Sequence, residues 1–187
     1  RHPAMPEGAA PAIIKGMYLF QAGGKKAKGP RVQLLGSGTI FREVIAAADL
    51  LRDEWGVESD LWSCPSFTEL ARDGNAVARH NLLHPTAKPR QSHVEHCLGE
   101  TTGPVVAATD YMRTFAEQIR AYVPRRYVVL GTDGFGRSDT REKLRQFFEV
   151  DRAYVTVAAL KALADDGVLP AAKVADAVRK YGIDPSK

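Results

Sequence analysis

Four histidines crowd into one short stretch, His80, His84, His93 and His96, with Glu95 and Cys97 beside them. His80 and His84 are four apart on a segment of helical character, a spacing that holds a zinc ion when both rings face one side. The glutamate that follows the first histidine of a zinc-protease helix is missing. Asn81 stands there, and Pro85 ends the helix beside His84. Surface or interface histidines are therefore expected, with a metal site as the alternative. Rings of this type titrate near neutrality and would make an interface pH-sensitive. Cys97 adjoins His96, but adjacency in sequence does not make a nucleophile and its base.

Gly36-Ser37-Gly38-Thr39 falls between a strand pattern and a helix pattern, where a dinucleotide fingerprint would sit. The third glycine of that fingerprint is Phe41 here, and its ring would block close helix-to-strand packing. A tight turn with Ser37 or Thr39 capping the helix is expected, with an anion held on exposed amides as the alternative. The most distinctive string is Thr132-Asp133-Gly134-Phe135-Gly136-Arg137-Ser138-Asp139, two glycines flanking an aromatic ring. Asp133 and Arg137 either pair with each other or reach a partner surface. The plainer alternative is a shaped turn with Asp139 as N-cap and Phe135 buried. A contact surface would use Asp133, Gly134, Phe135, Gly136, Arg137 and Ser138. No G-x-S-x-G, P-loop or C-x-x-C occurs.

The elements that carry these groups follow from periodicity. Ala12 to Phe20 reads as a strand and Arg31 to Leu35 as a second, with a Gly/Lys hairpin loop between them. Phe41, Val44, Ala48, Leu51 and Trp55 share one helical face, and Gly56 stops that helix. Val57 to Ser63 is a third strand. Ser66 and Glu69 form a capping-box pattern for a helix that runs towards His84. The polar stretch from Thr86 to Glu100 has room for one short helix. Pro104 to Ala108 is a strand, and Asp110 opens a helix with Met112, Phe115, Ala116 and Ile119 on one face. Tyr127 to Leu130 is an apolar run suited to a strand covered on both sides. Asp139 to Glu142 is a second capping-box pattern, followed by helices broken at Gly167 to Pro170.

Alternation of strand and helix calls for parallel strands with right-handed crossovers. The expected fold is three-layer α/β/α, a mostly parallel sheet of about five strands whose first strand pairs antiparallel at an edge. Residues 1–11 read as a Pro-rich inter-domain linker and 12–187 as a single domain, a fragment of a longer chain.

At 187 residues, 44% apolar and 26% charged, the chain has the composition of a globular domain. No run approaches the length of a membrane span. The net charge of +4 is mild, and its densest patch, Lys25, Lys26, Lys28 and Arg31, lacks the stacking aromatics of a nucleic-acid binder. Two cysteines, Cys64 and Cys97, build no disulfide framework and read as reduced thiols in a cytoplasmic protein.

LLGSGTIFREV, SFTELARDG, NLLHP, ATDYMRTFAEQIRAYVP and LGTDGFGRSDTREKLRQFFEVDRAYVTVAAL closely resemble the C-terminal end of the decarboxylating first component of pyruvate dehydrogenase complexes, the homodimeric bacterial type. More distantly the chain is similar to transketolase C-terminal domains. The resemblance implies a full-length enzyme that uses thiamine diphosphate and Mg²⁺, decarboxylates pyruvate and passes the acetyl group to a lipoyl arm of the dihydrolipoyl acyltransferase. It also implies that the cofactor lies between two other domains of a homodimer. The family's G-D-G…N-N diphosphate motif is missing, because Thr132 precedes Asp133-Gly134 and neither Asn75 nor Asn81 lies downstream. His84 in NLLHP fits the family pattern, whereas His93 and His96 depart from it. No catalytic, cofactor or metal residue is therefore expected here. The expected role is to support the dimer. The alternatives are docking of the acyltransferase through Lys25 and Lys26, and a free-standing nucleotide or flavin binder.

Overall fold

The computed structural model describes residues 5–24 and 29–186. Five strands form one sheet in the order β1-β3-β2-β4-β5: β1 (Tyr18–Gln21), β2 (Arg31–Gly36), β3 (Glu58–Ser63), β4 (Val105–Ala108) and β5 (Tyr127–Leu130). Strands β2 to β5 are parallel, and β1 lies antiparallel at the edge. The edge placement is as expected, but the partner is β3 and not β2. The loop between β1 and β2 is therefore a crossover and not a hairpin. Its basic residues Lys25, Lys26 and Lys28 lie outside the described residues.

Alternation along the strands divides the core in two. Val32, Leu34, Val106 and Ala108 face α2 (Phe41–Trp55) and α7 (Arg152–Asp165). Leu35, Val105, Ala107, Tyr127 and Val129 face α3 (Phe67–Leu83), α4 (His93–Leu98) and α5 (Arg113–Glu117). Because side chains on a strand point to opposite faces in turn, this split gives three layers. Helices α6 (Arg141–Phe147) and α8 (Ala171–Lys180) complete the α7 side. On β5 only alternate residues are buried, since it is the far edge strand. No helix among the described residues is long and apolar enough to cross a membrane.

The amino-terminal segment is not one strand. Pro11 sits in the first turn of a short helix, α1 (Ala10–Ile14), where its missing N–H costs nothing. Gly16, at φ +94°, then breaks the chain before β1. A Cβ there would come within 2.6 Å of the Ser66 carbonyl, so both the conformation and the space require glycine. At the helix starts, Ser66 accepts the Glu69 amide as expected, but the Glu69 carboxylate pairs with Arg72 instead of closing the box. A complete capping box stands at α4, between Ser92 and Glu95. The N-cap of α6 is Thr140, which accepts the Lys143 amide; Asp139 is one residue too early and accepts the Thr140 amide.

Candidate functional site

Ligands of open α/β sheets gather outside the carboxyl ends of the strands, where the order reverses. Here that point lies between β2 and β4, whose following segments lead away in opposite directions. Side chains of the protein fill it. Ser37 and Thr109 share a buried hydrogen bond of 2.7 Å between hydroxyls, and Thr39 Oγ1 donates to Asp110 Oδ2 at 3.0 Å. Neither Ser37 nor Thr39 caps the helix as expected; a 3₁₀ turn over Gly38–Ile40 leads into α2 without a side-chain cap. The Phe41 ring covers Gly36 so closely that a Cβ there would lie 2.7 Å from Phe41 Cδ2. The expected obstruction at the third fingerprint position is thus a packed ring.

The loop after β5 is stitched to the segment after β4. Thr132 donates its amide to Tyr111 O and its hydroxyl to Asp110 O. Asp133 takes both the amide and the guanidinium Nε of Arg113, at 2.9 and 2.5 Å. These two bonds hold the Asp133 carboxyl below its usual range. Of the two alternatives for Asp133 and Arg137, the mutual pair does not form. Arg137 instead lies over the Phe147 ring, 4.1 Å from its centre. Between them Gly134 turns the chain at φ +102°, a conformation that suits glycine. Phe135 then stands 96% exposed, which overturns the reading of a buried turn residue. Gly136 and Ser138 are exposed as well.

Under this loop lies a cavity of about 600 Å³, floored by Ile40, Leu144, Phe148 and Val150 and edged by Arg137 and Arg141. Neither arginine has a carboxylate partner among the described residues. On the other side of the strand ends, Tyr111, Met112 and Phe115 are exposed. The helical periodicity placed Met112 and Phe115 on a core face, but α5 has only five residues and buries Ala116 and, just beyond it, Ile119.

The histidines separate into two groups. His80 and His84 stack ring on ring at 4.1 Å at the end of α3. Loss of hydration, then the charges of Arg90 and His84, lower the His80 pKa. His93 bonds the Met17 carbonyl through Nε2 at 2.9 Å and lies 3.6 Å from Cys97 Sγ. Among the described residues no three His, Cys, Asp or Glu side chains converge. Burial pushes the Cys97 thiol up to about 11, and Cys64 is fully buried with its thiol raised further. Both are therefore protonated at neutral pH, and neither is a thiolate nucleophile.

A family model of the transketolase-like TK C-terminal domain matches residues 16–151. The chain belongs to this family. The transketolase-like domain is 69% identical over 186 residues, 100% of the chain, to the "Pyruvate dehydrogenase E1 component" of Cupriavidus necator, and covers 21% of that protein. To the Escherichia coli K12 protein of the same name it is 54% identical over 187 residues, 99% of the chain and 20% of the relative. The chain thus spans about one fifth of the length of these relatives, as a C-terminal piece. Among solved structures, transketolase from Leishmania mexicana superposes with a TM-score of 0.55 at 18% identity, over 86% of the chain and 20% of that protein. At that identity the likeness speaks for the fold.

Thiamine diphosphate with Mg²⁺, the group implied for the longer protein, needs oxygen ligands free to take a cation. Among the described residues no three His, Cys, Asp or Glu side chains are grouped to hold such a cation. Arg113 occupies both oxygens of Asp133, Thr39 takes one oxygen of Asp110 and the Thr140 amide one of Asp139, and Arg137, Arg141 and Arg145 line the same cavity. What this end of the sheet does present is an exposed aromatic ring on a braced loop beside Arg137 and Arg141. Sequence reading found the loop but missed its brace, because Arg113 and Asp133 are twenty residues apart.

Proposed function

We propose that this chain is the non-catalytic C-terminal domain of the first component of a cytoplasmic, bacterial pyruvate dehydrogenase complex. In this reading the full-length homodimer decarboxylates pyruvate with thiamine diphosphate and Mg²⁺. It then reductively acetylates the lipoyl group of the dihydrolipoyl acyltransferase. This domain packs on the cofactor-binding domains through the loop from Asp133 to Ser138 and supports the dimer.

The observation that carries the reading is the position of Phe135. A large ring at 96% exposure gains nothing from its own domain, yet the Asp133–Arg113 pair and the Arg137–Phe147 stack hold the segments on either side of it. Pre-organised aromatic residues of this kind are common anchors of interfaces. Strand β1 runs antiparallel, with Tyr18 opposite Ser63, so its start lies at the same end of the sheet as the loop. Any part of a longer polypeptide that precedes β1 therefore joins the domain at that end. The likeness to proteins named pyruvate dehydrogenase E1 component supplies the reaction.

Phe135→Ala in the full-length protein tests this. The domain itself loses no packing, so its unfolding should be unchanged. The dimer dissociation constant should rise about tenfold, near 1.4 kcal/mol, with a fall in turnover. Unchanged dimer stability and turnover in Phe135→Ala and Arg137→Ala would overturn the reading.

A further inference from the structure

The segment after α3 has no role in the reading above. From Leu82 to Gln91 every residue is exposed, Leu82 to 76% and Leu83 to 54%. It is nonetheless built. Asn81 clamps Arg90 at two points, its side-chain amide donating to the Arg90 carbonyl and its oxygen accepting the Arg90 amide, both at 2.9 Å. His84 turns back so that its amide and its ring Nδ1 both meet the His80 carbonyl, and its ring stacks on His80. The Ala87 amide donates to the His84 carbonyl, and Pro85 and Pro89 fix two φ angles. Ordering ten residues costs backbone entropy of about 1 kcal/mol each. Leu82, three quarters exposed, offsets little of that cost within this domain, and Leu83 only part of it.

The chemistry of the segment is one-sided. No acidic residue occurs between Gly74 and Val94, while Arg79, Lys88 and Arg90 form no ion pair among the described residues. Leu82 and Leu83 are consecutive at the helix end, so they point about 100° apart. A flat wall would cover one of them; a socket around the tip covers both. The base of the segment, Gln91 to His93, shares a cleft of about 390 Å³ with Ile14 and Lys15 of α1. The chain spans about one fifth of its relatives' length, and in a protein of that length a polypeptide preceding α1 would meet the domain at that helix.

We infer that residues 82–91 are a preformed arm that seats in an apolar socket rimmed by carboxylates on the preceding part of the same polypeptide. The inference rests on the reading that this chain closes a longer protein, but it is independent of the Phe135 loop.

The test uses the full-length protein with Leu82→Cys, an exposed site whose change leaves the domain intact. Maleimide labelling of that thiol, located by mass spectrometry, is expected to be at least about tenfold slower in the native protein than in urea, as for a site that must open before it reacts. A zero-length carbodiimide should then join Lys88 to an Asp or Glu of the preceding polypeptide. In dimers mixed from light and heavy isotopes, that cross-link should stay within one chain. Labelling as fast as in urea would show a bare arm and end the proposal. Slow labelling with cross-links between chains would make a second copy the occupant, and slow labelling without any Lys88 cross-link would remove the acidic rim. If Phe135→Ala has no effect while Leu82→Cys is protected, the loop reading falls and the arm stands.

Discussion

Replacing Gly103 with alanine is expected to cost about 2–5 kcal/mol, adding about 1–2 for a left-handed residue to about 1–3 for an overfilled site. That is a large part of the roughly 5–15 kcal/mol that holds a domain together. Gly103 has φ +80°, and a Cβ built there would lie 1.7 Å from the Arg31 carbonyl oxygen. The obstacle is backbone at the start of β2, the central strand, so no side chain can swing aside. Thr102 O also accepts Gln33 Nε2 at 3.0 Å, and Pro104 O accepts the Gln33 amide at 2.9 Å. Relieving the clash therefore means parting β2 from β4 where their pairing begins. Gly167 is the control: it too has positive φ, +72°, but nothing lies within 4 Å of its Cβ position. Gly167→Ala should lose only the conformational part, about 1–2 kcal/mol. Urea unfolding of both variants separates the two contributions. Equal midpoints would mean that the strands yield freely at Gly103.

Neither that contact nor the antiparallel partner of β1 is visible along the chain. What periodicity and local chemistry determine was legible: the Phe41-to-Trp55 face, the stop at Gly56, the Ser66 cap and the parallel strands that alternate with helices. The misreadings arise where a distant element decides. Ala12 to Phe20 is apolar apart from Lys15 and Gly16, and Gly16, with positive φ and pressed against Ser66, breaks it into helix and strand. The loop of β1 carries hairpin composition, yet β3 takes the place beside β1, because pairing depends on the whole sheet. Met112 and Phe115 follow a helical period, but α5 starts only at Arg113, leaving Met112 outside it, and turns Ala116 rather than Phe115 to the core.

The candidate site divides in the same way. Its glycines, aromatic ring and charges were legible as a string, because two glycines around Phe135 are unusual in themselves. Its working geometry was not: the partners of Asp133 and Arg137 lie on α5 and α6, and the choice between Arg113 and Arg137 is made by the strand ends that bring Arg113 alongside. Exposure was equally hidden. An aromatic residue is buried by default in a sequence argument, and only the completed sheet shows that none of the described residues covers Phe135.

The loop in turn depends on one buried carboxylate, and its removal should be the second large effect. Glu43, in the first turn of α2, is 5% exposed. Its Oε1 accepts Arg145 Nη1 at 2.7 Å, and its Oε2 accepts the Arg152 amide at 3.2 Å and Arg152 Nε at 2.9 Å. It thereby ties α2 to α6 and to the start of α7, across more than a hundred residues. Glu43→Ala strands two guanidinium groups; removing one partner of a buried pair costs about 3–5 kcal/mol, less here because Arg152 is half exposed, so about 2–4 is expected. The melting point should fall by about 4–16 °C. Glu43→Gln keeps the shape and removes the charge, which makes acid the sharper test. Burial pushes the Glu43 carboxyl up, but the bonds and charge of Arg152, with the charge of Arg145, outweigh it and hold the folded value below the ordinary 4.5. With a depressed folded pKa, the charge stabilises fully above pH 4.5 and its contribution fades as pH falls through the lower folded value. The stability gap between wild type and Glu43→Gln should therefore be constant at neutral pH and close as pH falls below 4.5. A gap that persists unchanged through that range would mean that shape, and not the charge, joins α2 to the helices that support the Phe135 loop.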